Sequence, residues 1–255
     1  MKNKKVKVGT FETNDAPRGT NRRKFLQMSG LALAGTSLLL VGCSDDDDMG
    51  TPNPEVFDLG SGNLGILNYA YALEQLEAAF YTNVVAGSYW QSADSNEKQI
   101  LEDVYEHEVI HRDFFKVAIN AAVSAELVLP ELEFDFSSVD FGSRTSVLQT
   151  SALLEDTGVA AYNGAGNLID ASDSAGLTYL LLAGKIVSVE ARHASAIRNL
   201  LQPGTTNFAS DDVLVDIGGS GIAYDRALPP ADILAAVSGT GFIKTKFTAK
   251  NLPTP

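Results

Sequence analysis

Glu108-Val109-Ile110-His111 and Glu190-Ala191-Arg192-His193 are the two stretches that decide the reading of this 255-residue chain. Residues at i and i+3 share one face of a helix, so each Glu and its His can point at a single spot. The chain has three histidines and 13 glutamates, and two of the three histidines follow a glutamate at this spacing. A short motif met once carries little weight, but a motif met twice with matching surroundings carries more. Those surroundings match. Glu74 precedes Tyr81 by seven residues, and Glu155 precedes Tyr162 by seven. Glu74 to Glu155 and Tyr81 to Tyr162 are both 81 residues apart; Glu108 to Glu190 and His111 to His193 are both 82. The two halves are therefore a pseudo-repeat of one helix pair. Glu77 has no counterpart, because the same offset lands on Gly158, so Glu74 is the candidate ligand on the first helix. His107 adjoins Glu108 but points about 100° away from it on a helix, which makes it a non-ligand.

Working outward, apolar spacing predicts a helix from Gly62 to about Val85, with Leu64, Leu67, Tyr71, Glu74, Ala78 and Tyr81 along one face. Gly87 and Ser88 end it, and Trp90 in the turn is a packing residue. Asp94-Ser95-Asn96-Glu97 reads as a helix cap with an acid three residues on. The second helix then runs to about Ala125, with Ile100, Val104, Ile110, Phe114, Val117 and Ile119 among its apolar members. Residues 126–142 are irregular. A third helix is expected from about Ser143 to Ile169, and a fourth after Asp170-Ala171-Ser172-Asp173, stopping at Pro203-Gly204. Four long helices with one long connection in the middle make an all-α four-helix bundle of the crossover kind over 60–202. Residues 203–255 are rich in Gly, Thr and Pro and read as an irregular extension lying over the bundle, with one short helix near Pro230–Val237.

At 1.5 Å per residue, Glu74, Glu108, Glu155 and Glu190 all fall near mid-bundle. A Glu from each of two helices plus Glu-x-x-His from each of the other two is the ligand pattern of a di-iron or di-manganese carboxylate site. Four carboxylates balance two divalent ions, and two imidazoles add nitrogen donors. The candidate metal ligands are thus Glu74, Glu108, His111, Glu155, Glu190 and His193, holding two divalent ions, iron first and manganese second. Tyr81 and Tyr162 lie two turns from a ligand and are expected to donate hydrogen bonds to carboxylates.

Composition narrows the classes. One cysteine excludes a disulfide framework, Cys-ligated zinc and a rubredoxin-type relay. Residues 1–42 hold eight Lys/Arg and two acids, which leaves 11 basic and 30 acidic residues in 43–255, a net of −19. So acidic a domain repels phosphate backbones, and nucleic-acid binding is not expected. The basic start, Asn21-Arg22-Arg23-Lys24-Phe25-Leu26, the apolar run to Val41 and the small residues before Cys43 have the order of an export signal. The arginine pair resembles a twin-arginine signal, and Leu40-Val41-Gly42-Cys43 resembles a lipobox. The expectation is a signal peptide at 1–42, lipidation at Cys43 and an acidic flexible tether at 43–59. The protein would then be lipid-anchored in the cell envelope, facing periplasm or cell surface.

The stretches Leu73-Glu74-Gln75-Leu76-Glu77-Ala78-Ala79-Phe80-Tyr81, Leu154-Glu155-Asp156-Thr157-Gly158-Val159-Ala160-Ala161-Tyr162 and Val189-Glu190-Ala191-Arg192-His193 resemble the bacterial ferritin-like domain family, related to desiccation-associated proteins. The resemblance covers about 60–202. It implies a metal-binding bundle and leaves the reaction open, because such sites store iron, oxidise it, destroy peroxide or are simply retained. The leading expectation is redox chemistry of ferrous iron with oxygen or peroxide, as a ferroxidase or peroxidase-like oxidoreductase, with a dimanganese catalase-like site as the variant. The alternative is a non-catalytic lipoprotein whose metals brace the bundle for a partner. A hollow storage shell fits poorly with a lipid anchor and a long C-terminal extension.

Overall fold

Helices begin where a side chain can satisfy the free amides of the first turn. In the computed structural model, which describes residues 56–209, 214–216 and 222–255, the helices are α1 (Gly62–Ala86), the short α2 (Ser88–Ser92), α3 (Ser95–Ala122), α4 (Arg144–Gly166), α5 (Ser174–Leu201) and α6 (Pro230–Thr240). Asp94 caps α3 by accepting from the amides of Asn96 and Glu97 at 2.9 Å each. Asp173 caps α5 through the Gly176 amide at 2.7 Å. Glu97 does not fold back on its own cap. It is buried, accepts from the Tyr89 hydroxyl at 2.8 Å and pairs with Arg144 at the start of α4. Two helix ends come earlier than their periodicity predicts. The second long helix stops at Ala122, and a 3-10 turn follows at Ala125–Leu127. The third stops at Gly166 rather than Ile169. The reading of the signal at 1–42, of Cys43 and of the tether up to residue 55 falls outside the described residues.

The architecture is an all-α bundle. α1 packs antiparallel on α3, and α4 antiparallel on α5. The connection from α3 to α4 runs back along α1, and two α1 side chains hold it there. Asn68 gives its amide hydrogen to the Leu127 carbonyl at 2.9 Å and takes the Leu129 amide at 3.0 Å. Two turns on, Gln75 repeats the arrangement with Pro130 at 3.2 Å and Leu132 at 2.8 Å. At the far end of α1 the Phe141 backbone crosses Gly87 so closely that a Cβ there would lie 2.6 Å from its carbonyl oxygen. The crossover therefore spans the bundle, and α4 starts beside the C-terminus of α1, antiparallel to it.

Covering by the crossover changes the expected one-sided α1. Sixteen of its 25 residues are buried, on nearly every side, as for a helix in the middle of a core. The outer helices show the reverse. On α3, Val104 and Ile119 are buried, but Ile110, Phe114 and Val117 are exposed. On α5, Leu177, Leu180 and Leu181 also face outward. Among the described helices only α5 is long and apolar enough to cross a membrane; it nonetheless carries buried Glu190 and His193.

Residues 57–59, placed with the tether on sequence, belong to the fold. β1 (Phe57–Asp58) pairs in parallel with β4 (Phe247–Thr248), and Leu59 is fully buried. Asp58 fastens both ends, accepting from the Gly60 amide at 2.9 Å and the Thr248 hydroxyl at 2.6 Å. Between them, β2 (Leu214–Asp216) and β3 (Ile222–Asp225) form an antiparallel pair. The chain then crosses α4, where the Leu228 amide donates to the Ala160 carbonyl at 3.0 Å. Gly164 permits this contact, since a Cβ there would meet the Leu228 carbonyl oxygen at 1.8 Å.

Candidate metal centre

The antiparallel pairing of α1 with α4 and of α3 with α5 brings all six candidate ligands together at mid-bundle. Glu74, Glu108, Glu155 and Glu190 have no exposed surface, and His111 and His193 are buried beside them. On one side His111 Nδ1 lies 2.8 Å from Glu190 Oε1, 3.5 Å from Glu74 Oε2 and 3.7 Å from Glu108 Oε2. On the other, His193 Nδ1 lies 2.7 Å from Glu108 Oε1, 3.5 Å from Glu155 Oε2 and 3.5 Å from Glu190 Oε2. Each group of four offers ligand atoms within 4.8 Å of one another: Glu74, Glu108, His111 and Glu190, then Glu108, Glu155, Glu190 and His193. Glu108 and Glu190 belong to both.

The atoms that converge are short of partners. The two imidazoles reach only Glu190 Oε1 and Glu108 Oε1 closely, while Glu74 Oε2, Glu108 Oε2, Glu155 Oε2 and Glu190 Oε2 stand 3.5 Å or more from them and lack a hydrogen bond. Leaving so many buried polar atoms unmatched would cost several kcal/mol by ordinary experience, about 1–3 kcal/mol for each group. A cation at each group would match them, which is the fit a metal site requires. The opposite oxygens are held. Tyr81 donates to Glu155 Oε1 at 2.6 Å, and Tyr162 donates to Glu74 Oε1. The two contacts are related by the same pseudo-symmetry as the sequence repeat.

Protons follow from this crowding. Burial raises the Glu74, Glu108 and Glu155 carboxyls, Glu155 to about 6, and neighbouring carboxylates push the same way. Burial alone would lower His111, but Glu108, Glu190 and Glu74 outweigh it and push the ring up to about 12. His193 is raised in the same manner. Glu190 is the exception. Burial raises it, but the two imidazolium rings beside it prevail and hold it below the usual carboxylate range.

His107 lies outside both groups, as its angle predicts, but it is not a bystander. Its Nδ1 is 2.8 Å from His193 Nε2, and the two rings stack at 5.1 Å. With His193 Nδ1 given to the carboxylates as an imidazolium, or to a metal, Nε2 keeps its hydrogen and would donate it to His107. Histidines that hold metals commonly give their other N–H to such a partner, and losing the partner weakens binding about 10- to 100-fold. His107→Ala should lower metal affinity by that factor, read by competition with a chelator, and leave the number of ions at saturation unchanged. The antiparallel register of α3 against α5 places His107 opposite His193; spacing along one helix does not contain it.

Glu77 is also outside both groups, yet its side chain is almost fully buried and one of its oxygens has no partner. Its room comes from Gly158, where a Cβ would sit 3.0 Å from Glu77 Oε1. The position that breaks the repeat is thus the cradle of the unmatched glutamate. Burial, reinforced by Glu108, Glu190, Glu155 and Glu74, raises its carboxyl well above the usual range. Glu77→Ala should keep full metal loading by elemental analysis, and a loss of one ion would overturn the choice of Glu74.

A family model described as ferritin-like domain matches residues 62–203. The chain belongs to the ferritin-like domain family. Comparison with curated proteins gave no match.

Proposed function

We propose that the site binds two divalent metal ions, iron before manganese: Glu74, Glu108, His111 and Glu190 would hold one, and Glu108, Glu155, Glu190 and His193 the other. The carrying observation is the pair of four-residue groups sharing two carboxylates in a buried place. Four carboxylates offset four positive charges, and oxygen-rich ligation with one imidazole per ion suits iron or manganese. When bound, a ferrous pair would supply two electrons, taken up together with two protons, either by dioxygen to give hydrogen peroxide or by hydrogen peroxide to give two waters. The chain's own part is orientation and exclusion. Tyr162 and Tyr81 fix one oxygen of Glu74 and Glu155 so that the other faces inward. His107 sets the His193 ring, and burial keeps bulk water out. The activity supported best is that of a ferroxidase or peroxidase-like oxidoreductase.

The test is anaerobic loading with ferrous iron, followed by oxygen or peroxide, with near-ultraviolet absorption and turnover recorded. Full loading without oxidation would favour metals that only brace the bundle. We further propose an envelope-anchored lipoprotein, supported by Arg22-Arg23, the apolar run and Cys43 in that order. Cys43→Ser should move the protein from the membrane fraction to the soluble fraction.

A further inference from the structure

An apolar cavity of about 50 Å³ lies inside the bundle beside the metal site. Ile66, Leu73, Phe115, Tyr162, Ala165 and Ile186 are among the residues around it. Its relation to the site is direct. The Tyr162 ring forms part of the wall, and its hydroxyl donates to Glu74. Leu73 precedes Glu74, and Ile186 lies one turn before Glu190 on α5. Phe114 of α3 is part of the lining and 36% exposed, and Tyr179, Leu182 and Ala183 of α5 line the cavity too. Ile110, Val117, Leu180 and Leu181 are exposed on the same two helices.

Size and chemistry select the occupant. A dry cavity of about 150 Å³ takes benzene, so one of a third that size takes something much smaller. Water or peroxide needs several polar partners. Here the lining is almost all carbon; Tyr162 is already committed to Glu74, and the hydroxyls of Tyr69 and Tyr179 are the other polar side-chain atoms around it, too few to hold a water on several sides. A small apolar molecule meets no such demand. We propose that dioxygen reaches the metal pair through this cavity, entering between α3 and α5 and waiting against Tyr162. The inference rests on the redox reading above, for which it names the oxidant and its route.

Xenon is an apolar probe that enters such cavities. The full chain, metal-free and loaded, should bind xenon here, seen by diffraction under xenon pressure and by the ¹²⁹Xe shift in solution. Ala183→Leu, which fills the cavity from α5, should remove the xenon site. It should also raise the oxygen concentration for half-maximal ferrous oxidation severalfold, while leaving peroxide-driven oxidation unchanged. Ala118→Leu fills it from α3 and serves if the first variant does not fold. Oxidation by wild type without xenon in the cavity overturns the route. So does loss of xenon in the variants with oxygen dependence unchanged, or an equal slowing with both oxidants. Xenon bound in a wild type that oxidises no iron overturns the redox reading itself, and the oxygen route with it.

Discussion

Glu190→Gln is expected to lose both metal ions, while Glu74→Gln and Glu155→Gln each lose one. Glu190 offers Oε1 to the His111 side and Oε2 to the His193 side, so its amide analogue withdraws an anionic ligand from both groups at once. Glu74 faces only the first group and Glu155 only the second. Loss of an outer hydrogen-bond partner already costs about 10- to 100-fold in affinity, so loss of a shared ligand should exceed about 100-fold. Gln keeps the shape of Glu, and the metal-free fold should survive. The measurement is stoichiometry by elemental analysis, with titration calorimetry for affinity. Two ions retained in Glu190→Gln would show that Glu190 is not shared by both groups, and equal losses in all three variants would remove the two-group description.

The second large effect is on pH. Binding requires ionised carboxylates and neutral imidazoles, so loading must expel the protons that the crowded site retains. Glu155 titrates near 6 in the folded chain against an ordinary 4.5, and His111 near 12 against 6.5. A raised carboxyl gives the metal-free fold stability that is complete below 4.5 and lost as pH rises through 6. Raised imidazoles give stability that is complete below 6.5 and lost as pH climbs toward 12. Glu190, held low, acts oppositely: its contribution is present above 4.5 and disappears only as pH falls through its own lower value. From about pH 5 to pH 8 the metal-free Tm should therefore fall, while the gain in Tm on adding metal should grow. Calorimetry of both forms across that range checks it. A metal-dependent gain that stays flat or shrinks with pH would contradict protonated ligands in the metal-free site.

The particular residues show where sequence reading succeeds and where it stops. Glu108 with His111 and Glu190 with His193 were legible because a helix fixes which residues share a face within four positions. Glu74 and Glu155 followed from the repeat, and the four long helices from caps and apolar spacing. Asn68 and Gln75 gave no such signal. Their amides hold a segment more than fifty residues away, and only that segment makes α1 buried on nearly every side. The exposed Ile110, Phe114 and Val117 look like core members by composition, and no local rule says which side of α3 lacks a neighbour.

By itself, then, the amino-acid order determined the helices, the pseudo-repeat and the six side chains that can face one another, because each depends on dihedral preference and periodicity within a few residues. Tertiary structure alone decided the partners of those side chains. The pairing of His107 with His193, the seat of Glu77 against Gly158 and the apolar cavity behind Tyr162 all depend on how far one helix slides along another. That register comes from packing and from the course of the crossover, which sum contacts between residues far apart in the chain.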